Sequence, residues 1–253
     1  MSRLHALSPK GLAALATTVG QRTLLGFDFD GTLAPLVARP EAAHVAPGMS
    51  RLLAELAVRL PLAIVTGRDA VDVQQRLGFV PHAIVGNHGA EDATLQPPSD
   101  RLVQALRQAR LHLHQYRELL QRSGVTVEDK RYSLCLHYRL AQDRSVARHA
   151  VAQVLAGLGP ELRAFAGKLG VNIVAAQAPD KFDAVQALVR RAACSAALYV
   201  GDDVNDEPVF ARAPTHWMTI RVGRTPRDSQ ARFYLDSTRE VALLLVRILA
   251  LLR

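Results

Sequence analysis

Two aspartates stand together at the point where an apolar run of the sequence ends. Asp28 and Asp30 lie in the stretch LLGFDFDGTLAPL, residues 24–36, with only Phe29 between them. Two like charges this close together at the end of a buried strand repel each other and resist removal from water. The pair therefore predicts a bound cation, a phosphate group, or both.

Other polar residues follow two further short apolar runs. Thr66 and Gly67 come after PLAIV, and Asp202, Asp203 and Asp206 come after LYVG. If these runs are strands of one parallel sheet, their carboxyl ends share an edge, which is where such sheets bind ligands. Several carboxylates at one edge need a hard cation among them, and an all-oxygen set of ligands suits Mg²⁺.

Lys181 and Thr66 add the other residue types that a phosphate site requires, a fixed cation and a hydroxyl group. A carboxylate that attacks phosphorus in line forms an aspartyl-phosphate, which water then cleaves. We therefore predict phosphoryl chemistry in which Asp28 is the nucleophile and Lys181 offsets the negative charge of Asp28 and of the phosphate.

The elements that would position these residues alternate between strand and helix patterns. The first part of the chain reads as strand TLLGFDFD, helix PGMSRLLAELAVRL, strand PLAIVTGR, helix DAVDVQQRL and strand HAIVGNHGAE. Residues 181–253 repeat this alternation, with a helix in KFDAVQALVRRA, strands in ALYVGDD and HWMTIRVG, and a final helix. Short apolar strands alternating with helices are typical of a parallel sheet covered by helices.

The middle of the chain has a different pattern. One long helix in RLVQALRQARLHLHQYRELLQR is followed by two alternating strands in GVTVEDKRYSLCLHYR, a helix, and strands near ELRAFAG and GVNIVAA. We therefore predict an α/β fold with a Rossmann-like parallel-sheet core domain, residues 1–99 and 179–253. A smaller α+β domain is inserted into it at residues 100–178.

Composition narrows the classes of function. The 253 residues are 49% hydrophobic, which predicts a well-filled core, and they carry a formal net charge of +8. That charge suits either nucleic acid or an anionic small substrate. Aromatic residues make up only 5%, and the sequence has no zinc-finger, helix-turn-helix or RNP-like signature, so a basic nucleic-acid-binding protein is the weaker alternative. We expect a monomer that binds a small anionic substrate, with neither nucleic acid nor membrane as partner.

The cysteines and the two ends of the chain indicate a cytoplasmic protein. Cys135 and Cys194 lack the spacing of a metal-ligand pair or a disulfide framework, so we expect two buried reduced thiols. LSPKGLAALATTVG predicts a helix capped by Ser8, with Pro9 at its first position, and lacks the apolar stretch of an export signal. EVALLLVRILALLR is shorter than the ~20 residues of a membrane span and is interrupted by Arg247, so we expect a helix packed against the sheet.

Four stretches of the sequence carry a resemblance to a known superfamily. DFDGTL, VTGR, Lys181 and GDDVND resemble, in order and spacing, the four motifs of the haloacid dehalogenase superfamily. GNHGAE, EDKRYSLCLHYR and GDDVNDEPVF further resemble the trehalose-6-phosphate phosphatases. The resemblance implies a Mg²⁺-dependent phosphatase of trehalose 6-phosphate, in which the inserted domain is a cap that closes over the sugar.

The resemblance also implies roles for the remaining polar residues of the core domain. Asp30 would protonate the leaving alcohol and then activate water, and Thr66 would hydrogen-bond the phosphoryl oxygens. The metal would be held by Asp28, the backbone carbonyl of Asp30, and Asp202. Asp203 and Asp206 would act through water or by orienting Lys181.

The residues implied in substrate binding come from both domains. On the core domain these are Arg68, for which a salt bridge to a core carboxylate is an equal alternative, Asn87 and His88. In the cap, Glu128 and Lys130 share one face of a strand and would contact the disaccharide.

Two positions depart from the pattern of the phosphatases. Asn172 stands where the family usually has a glutamate, and Phe182 stands where a glycine commonly follows the motif lysine. Because both positions bear on sugar specificity, a phosphatase of another sugar phosphate, such as sucrose phosphate or a glycosylglycerate phosphate, is an alternative. The choice among Mg²⁺, Mn²⁺ and Co²⁺ stays open.

Overall fold

A computed structural model of the chain describes residues 4–37, 39–92, 99–167, 169–223 and 229–253. The chain forms two compact units, which we call the core unit, Met1–Leu95 with Asp180–Arg253, and the insert unit, Gln96–Pro179. Their limits differ by a few residues from those of the predicted domains, which stay a prediction.

Strands of the described residues are, in chain order, β1 (Leu4–His5), β2 (Thr23–Phe27), β3 (Leu62–Val65), β4 (Ala83–Gly86), β5 (Glu91–Asp92), β6 (Thr126–Asp129), β7 (Leu134–His137), β8 (Leu162–Gly167), β9 (Gly170–Ala175), β10 (Ala196–Gly201), β11 (Met218–Val222) and β12 (Phe233–Leu235).

Helices of the same residues are α1 (Pro9–Val19), α2 (Pro47–Ala57), α3 (Ala70–Leu77), α4 (Asp100–Gln115), α5 (Arg117–Arg122), α6 (Arg144–Ala156), α7 (Lys181–Arg191), α8 (Glu207–Arg212) and α9 (Thr238–Leu251). Short 3₁₀ turns span Pro40–Ala42, Asn87–Gly89 and Val204–Asp206.

The core unit is built on one sheet with the strand order β1-β12-β11-β10-β2-β3-β4-β5. Every pair in it is parallel except β4 with β5. The carboxyl ends of the neighbouring strands β10, β2 and β3 therefore lie side by side. This mostly parallel sheet with flanking helices confirms the predicted α/β fold class.

Side chains of the central strands alternate between the two faces of this sheet. Leu25 and Phe27 of β2 belong to the buried cluster that includes α9, whereas Leu24 belongs to the cluster that includes α7. Because both faces are covered, β2, β3 and β10 are buried along their whole length. This explains why they read as continuous apolar runs.

The insert unit contains a separate antiparallel sheet with the strand order β6-β7-β9-β8. Its helices α4, α5 and α6 pack on an apolar cluster that includes Leu113, Leu134 and Val151. The single long helix that we predicted here is wrong in one respect, because it is interrupted at Tyr116 (φ −101°, ψ 13°). The Tyr116 ring packs against His112, with 5.1 Å between ring centroids.

Local signals in the sequence explain several helix ends. The Ser8 hydroxyl accepts from Gly11 N–H at the start of α1, and the Asp69 carboxylate accepts from Val71 and Asp72 N–H at the start of α3.

No helix within the described residues combines the length and the apolarity that crossing a membrane requires.

Candidate active site

The predicted site residues of the core unit follow directly after adjacent strands. Asp28 follows β2, Thr66 follows β3, and Asp202 follows β10, the strand that pairs with β2 on its other side. Parallel pairing brings these strand ends to one edge of the sheet, although the residues are far apart in sequence.

Lys181 lies at the centre of this edge. Its side chain is buried, and Nζ donates to Asp28 Oδ1 at 2.8 Å and to Asp206 Oδ1 at 2.7 Å. Burial alone would lower the pKa of Lys181, but the charges of Asp206 and Asp28 outweigh it and raise the pKa above its usual value. Lys181 is therefore held as an ammonium ion between two carboxylates.

Contacts in the first turn of α7 hold the backbone of Lys181 in position. Asp180 caps the helix by accepting from Asp183 N–H, and the Asp183 side chain accepts in return from Asp180 N–H. Arg212 binds both carboxylates, at 2.8 and 2.7 Å. The backbone of Lys181 is thus fixed from both sides.

Asp206 organises the loop after β10. Its Oδ1 accepts from Lys181 Nζ and from the Tyr199 hydroxyl, both at 2.7 Å, and its Oδ2 accepts from the N–H groups of Asp202 and Asp203, both at 2.9 Å. Four donors occupy this buried carboxylate. This arrangement suits a residue that positions the loop and Lys181.

Three buried carboxylates at this edge form a set that fits a hard cation. Oxygen atoms of Asp28, Asp202 and Asp206 lie within 4.8 Å of one another. Burial, together with the charges of Asp206 and Asp202, raises the pKa of Asp28 well above its usual value, although Lys181 opposes this shift. One ammonium group leaves three carboxylates with an excess negative charge, and an all-oxygen set of this kind fits Mg²⁺.

Gly31 lies against this carboxylate set. Its φ is +81°, and a Cβ atom built there would lie 1.9 Å from Asp202 Oδ2. The turn after Asp30 therefore requires glycine both for its backbone conformation and for the position of the Asp202 carboxylate.

Arg68 binds Asp30, the predicted general acid. Nε and Nη2 donate to the two Asp30 oxygens at 2.7 and 2.8 Å, and Nη1 donates to Asp72 Oδ2 at 2.9 Å. The guanidinium also lies 5.2 Å from the centre of the Phe29 ring. Of the two alternatives for Arg68, a salt bridge to a core carboxylate is the one that the structure contains.

The 3₁₀ turn after β4 places Asn87 and His88 beside the end of β3. Both have positive φ, 49° and 62°, and both are buried. Asn87 Nδ2 donates to Glu91 Oε2 at 2.7 Å, and His88 N–H donates to the Thr66 carbonyl at 2.9 Å. The His88 ring packs so close to Gly67 that a Cβ atom at position 67 would lie 2.3 Å from Cε1.

In the insert unit, Glu128 and Lys130 lie on and just after β6. Glu128 Oε2 is 2.7 Å from His137 Nε2 and 3.5 Å from Lys130 Nζ. Partial burial acts to raise the pKa of Glu128, but the hydrogen bond from His137 and the charge of Lys130 hold it below its usual value. Hydrogen bonds to the Cys135 sulfur and to Glu128 raise the pKa of His137 to about 9.

Comparison with known proteins gives the family. The family model for trehalose-phosphatase matches residues 26–239. The chain belongs to the trehalose-phosphatase family. A trehalose-phosphate phosphatase of Mycobacterium tuberculosis is 34% identical over 251 residues, which cover 92% of this chain and 64% of that protein. The chain therefore spans less than two thirds of the length of such relatives.

Solved structures share the fold. The C-terminal domain of a Candida albicans trehalose-6-phosphate phosphatase superposes with a TM-score of 0.78 at 20% identity, covering 99% of each chain. A phosphatase of the haloalkanoate enzyme superfamily from Bacteroides thetaiotaomicron gives a TM-score of 0.64 at 17% identity, covering 91% of this chain and 95% of that chain. These structures show the shared fold, and the family model confirms the resemblance to the trehalose-phosphatases that the sequence motifs carry.

Reasoning from sequence missed two side chains that hold this candidate site in place. Tyr199, inside β10, donates its hydroxyl proton to Asp206. Arg221, inside β11, donates to the Asp202 carbonyl at 2.7 Å and to Glu207 Oε1 at 2.8 Å. An arginine within an apolar strand was the available signal, because a buried charge needs a partner.

Phe182, one of the two departures from the family pattern, lies in the core unit. It is buried, its ring is 6.0 Å from that of Trp217, and the Arg212 guanidinium lies 4.2 Å above its centre. Asn172, the other departure, pairs with Cys135 across β7 and β9 and is also buried.

Proposed function

We propose that the chain is a Mg²⁺-dependent phosphomonoesterase that hydrolyses trehalose 6-phosphate to trehalose and phosphate. The observation that carries this proposal is the buried Lys181 ammonium, bound to Asp28 and Asp206 beside Asp202 at the carboxyl edge of the sheet. Membership of the trehalose-phosphatase family supports the choice of substrate.

In the first half of the proposed reaction, Asp28 attacks phosphorus and the sugar oxygen leaves. Lys181 donates to Oδ1 of Asp28, so we assign the attack to the other oxygen, Oδ2. Asp30 gives its proton to the departing sugar oxygen, which releases trehalose as the neutral alcohol. Thr66 and Lys181 stabilise the charge on the transferred phosphoryl group.

In the second half, water cleaves the aspartyl-phosphate. The Asp30 carboxylate takes a proton from the water, whose oxygen forms a bond to phosphorus as the bond to Asp28 breaks. The Asp28 carboxylate is regenerated, and Asp30 is again protonated for the next cycle.

The acidic residues of the same edge are proposed to hold Mg²⁺. The ligands would be Asp28, the Asp30 backbone carbonyl and Asp202, with Asp203 and Asp206 outside the first set of ligands. The four hydrogen bonds that Asp206 accepts support an orienting role for it. When bound, Mg²⁺ would neutralise negative charge on the phosphoryl oxygens.

The proposed sugar-phosphate contacts involve five side chains. Their polar groups suit hydroxyl and phosphate recognition, and the bidentate bond between Arg68 and Asp30, the proposed proton-transfer group, supports the inclusion of Arg68. The five residues are Arg68, Asn87, His88, Glu128 and Lys130.

The experiment that tests this function compares phosphate release, with Mg²⁺, from trehalose 6-phosphate, sucrose 6-phosphate, glucose 6-phosphate and an aryl phosphate. We expect trehalose 6-phosphate to be hydrolysed at least about 100-fold more efficiently than the others, which corresponds to about 2.7 kcal/mol of discrimination. Asp28→Asn should abolish release from every substrate. Activity on the aryl phosphate alone would support the proposed phosphatase reaction but contradict trehalose 6-phosphate as the substrate. Activity in Asp28→Asn would contradict the role of Asp28 as the nucleophile.

A further inference from the structure

A second group of metal-ligating side chains lies in the sheet of the insert unit. Cys135 and His137 are two residues apart on β7 and so project from the same face of the sheet. Glu128 pairs directly with Cys135 across β6 and β7. Ligand atoms of the three side chains lie within 4.8 Å of one another.

The spacing between the sulfur and the imidazole matches that of two ligands on one ion. Cys135 Sγ lies 3.7 Å from His137 Nδ1. A tetrahedral zinc ion, with Zn–S near 2.3 Å and Zn–N near 2.0–2.1 Å, holds its sulfur and nitrogen ligands about 3.5 Å apart. A shift of a few tenths of an ångström would bring both atoms to ligand distance.

Glu128 orients the imidazole for this purpose. His137 Nε2 donates to Glu128 Oε2 at 2.7 Å, so the ring directs Nδ1 toward the sulfur. A histidine that binds a metal through one nitrogen commonly donates its other N–H to a carboxylate in this way. Lys130 Nζ, 3.5 Å from the same oxygen, favours the ionised form of Glu128.

Strand β9 places a glycine, which has no side chain, beside both ligand atoms. Gly170 pairs with His137, and a Cβ atom built on it would lie 3.3 Å from Cys135 Sγ and 3.4 Å from His137 Nδ1. Any side chain at position 170 would therefore crowd both ligand atoms, and glycine avoids this.

We propose that Cys135 and His137 bind a borderline-soft divalent cation of the Zn²⁺ class, with Glu128 orienting the imidazole and water as the remaining ligands. Binding replaces the thiol proton of Cys135 and the proton on His137 Nδ1, which are released to solvent. This site differs in chemistry from the all-oxygen set of the core unit, because thiolate and imidazole favour Zn²⁺ over Mg²⁺. It does not depend on the proposed phosphatase activity.

Cobalt provides the test, because Co²⁺ replaces Zn²⁺ and absorbs light. Titrating the reduced chain with Co²⁺ should produce a sulfur-to-cobalt charge-transfer band in the near ultraviolet, which Zn²⁺ then abolishes by displacement. Co²⁺ bound only by carboxylates gives no such band, so the set formed by Asp28, Asp202 and Asp206 cannot mimic the signal. No sulfur band in the wild-type chain would overturn the proposal.

The two cysteines of the chain give a matched pair of variants. Cys135→Ser should abolish the band, and Cys194→Ser should leave it unchanged, since Cys194 lies on the core unit. Glu128→Gln should keep the band and lower the Co²⁺ affinity about 10- to 100-fold. A band that persists in Cys135→Ser or disappears in Cys194→Ser refutes the site, and unchanged affinity in Glu128→Gln refutes the orienting role. Circular dichroism of each variant checks that it is folded.

Discussion

Replacing Lys181 by methionine would remove the ammonium group that lies between Asp28 and Asp206. The two hydrogen bonds from Nζ measure 2.8 and 2.7 Å, and the three side chains are between 0% and 6% exposed. Methionine keeps the apolar stem of the side chain, so the change is mainly one of charge. Both carboxylates would then be buried without their counter-charge.

The expected loss of stability follows from this burial. Removing one partner of a buried ion pair costs about 3–5 kcal/mol, because the remaining charge is uncompensated. For a domain of 150–250 residues, each kcal/mol lowers Tm by about 2–4 °C, which gives a fall of about 6–20 °C. Loss of a fixed positive charge near the phosphoryl group should also lower kcat by about 100-fold or more.

Thermal melts with a chelator present, together with phosphate release with Mg²⁺, measure the two effects separately. Lys10→Met makes the same substitution at an exposed lysine of α1 and should change stability by less than about 0.5 kcal/mol. Adding Asp206→Asn to Lys181→Met should cost less than the sum of the two single changes, because the two residues interact directly.

The outcome for Lys181→Met that refutes this reasoning is a variant that melts like wild type and releases phosphate at the wild-type rate. A lower Tm with normal kcat would leave Lys181 with a structural role alone. Normal Tm with low kcat would show that the burial cost has been overestimated.

Two further predictions concern smaller changes. In Gly31→Ala the new Cβ would lie 1.9 Å from Asp202 Oδ2, so we expect the Mg²⁺ concentration for half-maximal phosphate release to rise about tenfold or more. Gly48→Ala is the control, because a Cβ atom built at Gly48 has no other atom within 4 Å. A Mg²⁺ titration of Gly31→Ala that matches the wild-type titration would contradict the prediction. Arg110 holds the pKa of Asp129 below its usual value, so Arg110→Gln should cost up to about 1 kcal/mol at neutral pH. The ion pair stabilises the fold only while Asp129 is ionised. The difference in Tm between wild type and Arg110→Gln should therefore shrink as pH falls through the lowered pKa of Asp129. A difference in Tm that does not change with pH would contradict this reasoning.

The sequence predicts well which residues meet at the carboxyl edge of the core sheet, because this depends only on the parallel pairing of strands. Parallel strands end at one edge, so the residues after three apolar runs must meet there once those runs pair in parallel. Asp28, Thr66 and Asp202 follow the adjacent strands β2, β3 and β10 in the structure. Knowledge of strand pairing alone was sufficient to place them.

Side-chain partners were less predictable because they depend on distances that the strand pattern does not contain. The bidentate bond between Arg68 and Asp30 joins residues 38 positions apart. The pairing of Cys135 with Glu128 depends on the register of β6 and β7, so the spacing of the cysteines gave no signal for it. The break at Tyr116 was hidden because apolar residues continue at helical spacing on both sides of it.

The packing of Phe182 has a consequence for changing this protein by design or by evolution. Phe182 is the residue next to Lys181, and its ring neighbours both Trp217 and the Arg212 guanidinium. This guanidinium also binds Asp180 and Asp183. A substitution that repacks this cluster therefore moves the backbone from which the lysine extends. Variants of this cluster that are selected for thermostability should also be screened for turnover, because the same contacts bear on the stability of the fold and on the position of Lys181.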